Sequence, residues 1–251
     1  MTVRNRVRLV LALIAVLVLG IVLPADRSGD EPAEVRVAAA KPVVSLRVMP
    51  LGASSTEGIG SPSTAGYRGP LYRMLQRDAV NVDYVGSLRS GPASLPDRDN
   101  EGHSGWTLAM MAPKVDGWVR AARPDVVILH AGTNDLGRGV AGDVTARRLD
   151  AVLATILAAA PKAHVVVAGV WAPLPRARVA RDQLAALTPV IVGKYRMQGY
   201  SVDFLDTSTL LAPGQLYDGL HPNTSGYVKI AALLDGEIRQ WLDTRAAARP
   251  R

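Results

Sequence analysis

Met49-Pro50-Leu51-Gly52-Ala53-Ser54-Ser55-Thr56-Glu57-Gly58 decides how this chain is read. An apolar run beginning at Val44 gives way at Gly52 to small residues and hydroxyls. That change is the mark of a buried strand turning sharply into a helix. A serine held on such a turn is placed to act as a nucleophile, provided a base lies within hydrogen-bond reach.

Outward from this turn, short β-branched runs alternate with longer amphipathic stretches, the pattern of βαβ units around a parallel sheet covered on both faces. Five strands are expected, at 44–49, 82–85, 126–130, 164–170 and 202–205. Helices are expected at 67–77, 112–122, 144–159, 177–198 and 225–244, with Pro124, Pro161 and Gly199 punctuating their ends. The fold class that follows is α/β, a doubly wound sheet in three α/β/α layers. In such a sheet ligands bind outside the carboxyl ends of the strands, where strand order reverses. Ser54 follows the first strand, Gly105 the second, Asn134 the third, and Asp218 and His221 the fifth.

Those positions supply what acyl transfer by a serine requires. His221 is the candidate base for Ser54, and Asp218, three residues earlier, is placed to fix its tautomer and stabilise the imidazolium. Negative charge developing on a carbonyl oxygen needs donors, and three are available: the backbone N–H groups of Ser54 and Gly105 and the side-chain amide of Asn134. Each residue alone has an ordinary structural reading as a turn, cap or loop residue. Their arrangement on one rim is what favours chemistry.

Four blocks carry a family resemblance: Gly52-Ala53-Ser54-Ser55-Thr56, Gly102-His103-Ser104-Gly105, Gly132-Thr133-Asn134-Asp135 and Asp218-Gly219-Leu220-His221. Together they resemble the SGNH subgroup of the GDSL esterases and lipases, over about the span 44–242. The resemblance implies a flavodoxin-like hydrolase fold with a five-stranded parallel sheet. It implies Ser54, Asp218 and His221 as catalytic residues and Ser54, Gly105 and Asn134 as the oxyanion hole. One departure stands out, because Ala53 occupies the position of the acid in the usual Gly-Asp-Ser. Ser55 beside the nucleophile is read as a turn hydroxyl.

The longer strings Glu101-Gly102-His103-Ser104-Gly105-Trp106-Thr107, Gly66-Tyr67-Arg68 and His221-Pro222-Asn223 resemble the acetyl-xylan esterase branch, carbohydrate esterase family three. That branch implies an acylated carbohydrate as the ester substrate. Trp106 then offers a flat face to a sugar ring, with core packing as the equal alternative. Tyr67, Arg68 and Trp171 are candidate pocket residues, with burial as their competing reading. An O-acyltransferase or lysophospholipase on the same scaffold, and a non-catalytic glycan-binding relative, are the rival functions.

Composition bounds the rest. The 251 residues are 48% hydrophobic, enough for one catalytic domain, expected at 42–245, with a short disordered tail at 246–251. The net charge of +7 is scattered, with Arg4, Arg6 and Arg8 at one end and Arg245, Arg249 and Arg251 at the other. With one Phe and no basic stripe, a nucleic-acid partner is excluded. The three early arginines precede an apolar run at 9–23, shorter than the about 20 residues of a spanning helix. Residues 1–25 therefore read as an export signal or an N-terminal anchor, with 26–41 as a linker. The protein is expected outside the cytoplasm, touching membrane only through 9–23 if uncleaved, and acting as a monomer. There is no cysteine, so neither a disulfide nor a thiolate metal cluster is available. His103, His130 and His164 show no ligand spacing, and the chemistry calls for no metal or organic cofactor. His130 is read as a satisfied core residue or one supporting the site from behind, and Gly137-Arg138-Gly139-Val140 as a flexible connection, for it lacks the lysine and following hydroxyl of a phosphate loop.

Overall fold

The five expected strands pair in parallel, in an order that reverses direction at the first of them. A computed structural model describes residues 44–248. Residues 1–43, on which the expected export signal or anchor and linker fall, and the last three residues lie outside the described residues. In chain order the elements are β1 (Val44–Gly52), α1 (Ser54–Glu57), α2 (Arg68–Arg77), β2 (Val80–Tyr84), β3 (Leu88–Arg89), β4 (Asp99–Gly102) and α3 (Leu108–Ala122). They continue with β5 (Val126–His130), α4 (Thr133–Gly137), α5 (Gly142–Ala159), β6 (His164–Ala168), α6 (Arg178–Met197), β7 (Val202–Leu205) and α7 (Thr224–Ala247).

The first half of β1 pairs with β2, and its second half pairs with β5 on the other side, followed outward by β6 and β7. The chain thus winds one way from β1 to β2 and then the other way from β5 to β7. This leaves the switch point beside the carboxyl end of β1.

Strand side chains alternate between two cores, as the pleat requires. Met49, Leu51, Val127, Leu129, Val165 and Val167 face a cluster shared with α3, α5 and α6. Leu46, Val48, Val126, Ile128, Val166 and Ala168 face a second, shared with α2 and α7. Both faces are covered, which explains why β5 and β6 read as unbroken apolar runs.

The sheet has seven strands rather than the five expected. The additional pair, β3 and β4, is antiparallel, and β4 runs parallel to the last two residues of β1. The sequence Asp99-Asn100-Glu101-Gly102 has no β-branched residue, so propensity gives no sign of it. Its buried polar groups are satisfied instead by hydrogen bonds: the Glu101 carboxylate accepts from the backbone N–H and the hydroxyl of Ser87, each at 2.7 Å. Asn100 accepts from the Gly102 N–H at 2.9 Å and donates to Ser90 Oγ at 3.0 Å.

Helix α3 starts earlier than the expected 112 because Thr107 caps it, accepting from the Met110 N–H. Ala246 and Ala247 continue α7 and are not part of a disordered tail. Among the described residues no helix is long and apolar enough to cross a membrane.

Candidate active site

The turn after β1 is built by close approach. A Cβ at Gly52 would lie 2.4 Å from the His130 carbonyl oxygen and 2.4 Å from Thr56 Oγ1, so only glycine lets β1 end against β5 there. Ala53 follows and is buried within the α3-side apolar cluster, an environment in which an acid would find no solvent. Ser54 then begins α1, where backbone N–H groups have no intrahelical acceptor.

His221 and Asp218 arrive from the far end of the chain on a tight loop. An isolated antiparallel bridge between Leu216 and Pro222 closes its base, and the Tyr217 N–H donates to the His221 carbonyl at 2.7 Å. Asn223 then caps α7 by accepting from the Gly226 N–H.

Within this loop Asp218 Oδ1 accepts from the backbone N–H groups of Leu220 and His221, at 3.0 and 2.8 Å. Its Oδ2 lies 2.7 Å from His221 Nδ1, and His221 Nε2 lies 2.9 Å from Ser54 Oγ. With the carboxylate accepting from Nδ1–H, Nε2 keeps its lone pair for the serine proton. Partial burial raises the Asp218 carboxyl, but hydrogen bonds from the His221 backbone and ring and the Leu220 backbone outweigh it and bring it down to about 2. The aspartate therefore stays ionised throughout the range in which a histidine works. Ser55 is buried, and Ser54 is the serine that faces the histidine.

The strand register brings the other two blocks to the same edge. Gly52 is paired with Gly102 on one side and His130 on the other, and the His103 N–H donates to the Gly52 carbonyl at 2.9 Å. The loop after β4 and the loop after β5 thus flank Ser54. Gly105 has φ +78°, a conformation that glycine accepts without cost, and its α-carbon faces open space. Asn134 Nδ2 donates to the Trp106 carbonyl at 2.8 Å, tying these two loops together and leaving its second N–H for another acceptor.

Several contacts at this edge were not expected from the sequence. Arg138 donates to the Gly105 carbonyl at 2.9 Å, so the stretch read as a flexible connection braces the neighbouring loop. Asp135 is fully buried, accepting from the Leu108 N–H and from Arg148, each at 2.8 Å. Glu101 lies 2.6 Å from His103 Nε2, and the His103 ring stacks on both Trp106 and Trp118, which also meet each other. The only signal for these roles is that Asp135 closes one of the four sequence blocks and Glu101 directly precedes another.

Of the candidate pocket residues, Trp106 is half-buried beside Gly105. Tyr67, Arg68 and Trp171 lie beneath the site and have no surface to offer a substrate. The Tyr67 phenol, pushed up to about 12 by burial, donates to Thr56 Oγ1, and its ring meets Trp171 edge to face. Arg68 donates to the Thr56 and Glu57 carbonyls and so holds α1 from below.

His130 is not the satisfied core residue expected: it is 3% exposed, and neither ring nitrogen has a hydrogen-bond partner. It stacks flat on Trp171. Burial lowers its pKa to about 3. An unfolded histidine takes up a proton near pH 6.5. Between about pH 6.5 and 3 the unfolded chain therefore binds one more proton here than the folded one, and stability falls as pH falls. The expected loss from this residue is about 2 kcal/mol between pH 6.5 and pH 5. Denaturant titrations at several pH values check it, since His130→Phe should flatten that part of the profile and an unchanged slope would refute it.

A doubly wound α/β/α sheet with a serine, a histidine and an aspartate linked at its carboxyl rim is the architecture of the SGNH class of ester hydrolases. The chain belongs to the GDSL-like lipase/acylhydrolase family, whose model matches residues 51–229. Among solved structures it is similar to a Clostridium thermocellum family 3 carbohydrate esterase, at 37% identity and TM-score 0.68, covering 76% of this chain and 93% of that one. It is also similar to a carbohydrate esterase family 3 protein from Talaromyces cellulolyticus, at 26% identity and TM-score 0.67, covering 79% and 99%. A multidomain esterase of Ruminococcus flavefaciens is 26% identical over 78% of this chain. The chain spans 29% of that curated relative and 54% of a second, from Acetivibrio thermocellus.

Proposed function

We propose that this protein removes short acyl groups, acetyl above all, from carbohydrate outside the cytoplasm, through an acyl-enzyme intermediate. The observation that carries this reading is the continuous hydrogen-bonded chain from Ser54 Oγ through His221 to Asp218. Ser54 attacks the ester carbonyl while His221 Nε2 takes the serine proton, and Asp218 stabilises the resulting imidazolium. The tetrahedral intermediate collapses as His221 returns that proton to the departing sugar oxygen. Water then enters, gives a proton to His221 and attacks the acyl group, and His221 passes that proton to the departing Ser54 oxygen as the acid is released. The N–H groups of Ser54 and Gly105 and the amide of Asn134 receive the oxyanion in both steps.

The carbohydrate substrate is supported by similarity to proteins named as family 3 carbohydrate esterases. A cleft of about 840 Å³ lies between Leu136, Val140, Leu174 and Val179, beginning two residues beyond Asn134, and offers room for sugar units flanking the ester. The open face of Gly105 beside Trp106 suits a small acyl group presented on a bulky alcohol. Export follows from the substrate, a polymer that does not enter the cell, together with the reading of residues 1–25.

Release of the acyl group as free acid from acetylated xylan, other acetylated glycans and lysophospholipids tests this function. Acetylated glycans should be turned over fastest. Activity that rises with acyl-chain length would favour a lipase, and transfer to a glycan hydroxyl in preference to water an acyltransferase. Asn134→Ala should lower kcat by about 100- to 1000-fold with little change in KM, the effect of losing one oxyanion donor. A change in KM alone would remove Asn134 from that role.

A further inference from the structure

We propose that His164, Asp203 and Glu237 form a binding site for a divalent transition-metal ion, with Zn²⁺ as the best match, at the end of the sheet opposite the serine. His164 is the first residue of β6, Asp203 lies near the start of β7, and Glu237 projects from the middle of α7. One ligand atom from each lies within 4.8 Å of the other two. His164 Nε2 is 3.7 Å from Glu237 Oε1 and 3.9 Å from Asp203 Oδ2. Ligand atoms around a tetrahedral ion about 2.1 Å away stand about 3.4 Å apart, so small side-chain rotations complete the geometry.

The histidine is what marks these groups as more than a pair of surface acids. Its side chain has no exposed surface, and Nε2 has no hydrogen-bond partner. Nδ1 lies 2.9 Å from Ser201 Oγ, and Trp241 stacks on the ring, so its orientation is held on two sides. With Nδ1–H donating to Ser201, the Nε2 lone pair points at two carboxylates. That contact is repulsive without a cation between them, and it is how a metal-bound histidine is oriented. Arg196 pairs with Asp203 through Oδ1, leaving Oδ2 toward the histidine. The Asp203 and Glu237 side chains are 31% and 15% exposed, which gives the ion a way in and room for a water ligand.

One imidazole with two carboxylates suits Zn²⁺ or a neighbouring transition ion better than Ca²⁺, which takes oxygen ligands. An ion here would join β6, β7 and α7, the helix that directly follows the His221 loop. Its role is therefore to fasten the fold, and the ester chemistry does not pass through it.

The test uses the chelator-treated full chain. Zn²⁺ at about 100 times its Kd should raise Tm by roughly 5–10 °C, and Ca²⁺ should not. Co²⁺ should bind at one equivalent and develop visible absorption. His164→Gln should lose both responses but is buried, so Glu237→Gln carries the test. It should keep ester turnover while cutting the Tm shift at the same Zn²⁺ concentration to about half or less and weakening Co²⁺ binding at least tenfold. If Zn²⁺ leaves the unaltered chain unmoved, or stabilises Glu237→Gln equally, the proposal fails.

Discussion

Ser54→Ala is expected to reduce turnover of a short acyl aryl ester by about four to six orders of magnitude, while Ser55→Ala leaves a readily measured activity. The two residues are neighbours in sequence but not in environment. Ser54 Oγ lies 2.9 Å from His221 Nε2. Ser55 is the second residue of α1, with only 6% of its surface exposed. Removing the hydroxyl of Ser54 takes away both the bond-forming atom and the proton His221 would accept, so the acyl-enzyme cannot form. What remains is water attack assisted by the oxyanion donors and binding, which leaves roughly 10³- to 10⁴-fold over the uncatalysed reaction in enzymes of this type. An organophosphonate should add to Ser54 in the unaltered chain and to nothing in Ser54→Ala. If Ser55→Ala abolished both turnover and labelling while Ser54→Ala retained them, the assignment of the nucleophile would be wrong.

The parts of this protein that could be read from its sequence are those whose causes are local. β5 and β7 fall at the residues expected, because short runs rich in β-branched and aromatic residues after a proline or glycine leave little freedom in where a strand begins. His221 and Asp218 could be read because both sit in one short loop, within three residues of each other. By contrast, β4 is a strand through its pairing with β1 and β3 and not through its residues, and nothing in Asp99-Asn100-Glu101-Gly102 announces that partner. The same holds for Arg138 on the Gly105 carbonyl and for His164 with Asp203 and Glu237, brought together from widely separated stretches by the sheet. Ala53, the one departure from the family pattern, has a physical explanation only once the fold is seen. Its side chain belongs to an apolar cluster with Met49 and Leu51.

Arg68 makes the difference between a pocket residue and a supporting one measurable. Arg68→Met should lower Tm by roughly 6–12 °C and reduce kcat, with KM for a short ester nearly unchanged. The guanidinium has no exposed surface and makes five hydrogen bonds. They go to the carbonyls of Thr56, Glu57, Arg98 and Ser90 and to Ser90 Oγ. Two of those carbonyls belong to α1, which carries Ser54, and the others to the segment leading into β4, so one side chain ties the nucleophile turn to the neighbouring loop. Met fills much of the same volume but leaves buried acceptors without donors, at a cost of about 3 kcal/mol. Burial lowers the Arg68 pKa, partly offset by the nearby Tyr67, Tyr84, Asp97 and Glu57. Lysine is no substitute, since a single ammonium cannot span the same fork of acceptors, and Arg68→Lys should recover only part of the lost Tm. Loosening α1 moves Ser54 relative to His221, and such misplacement lowers kcat without touching the groups that bind substrate. If Arg68→Met instead raised KM tenfold or more at unchanged Tm, the arginine would be a substrate-binding residue after all.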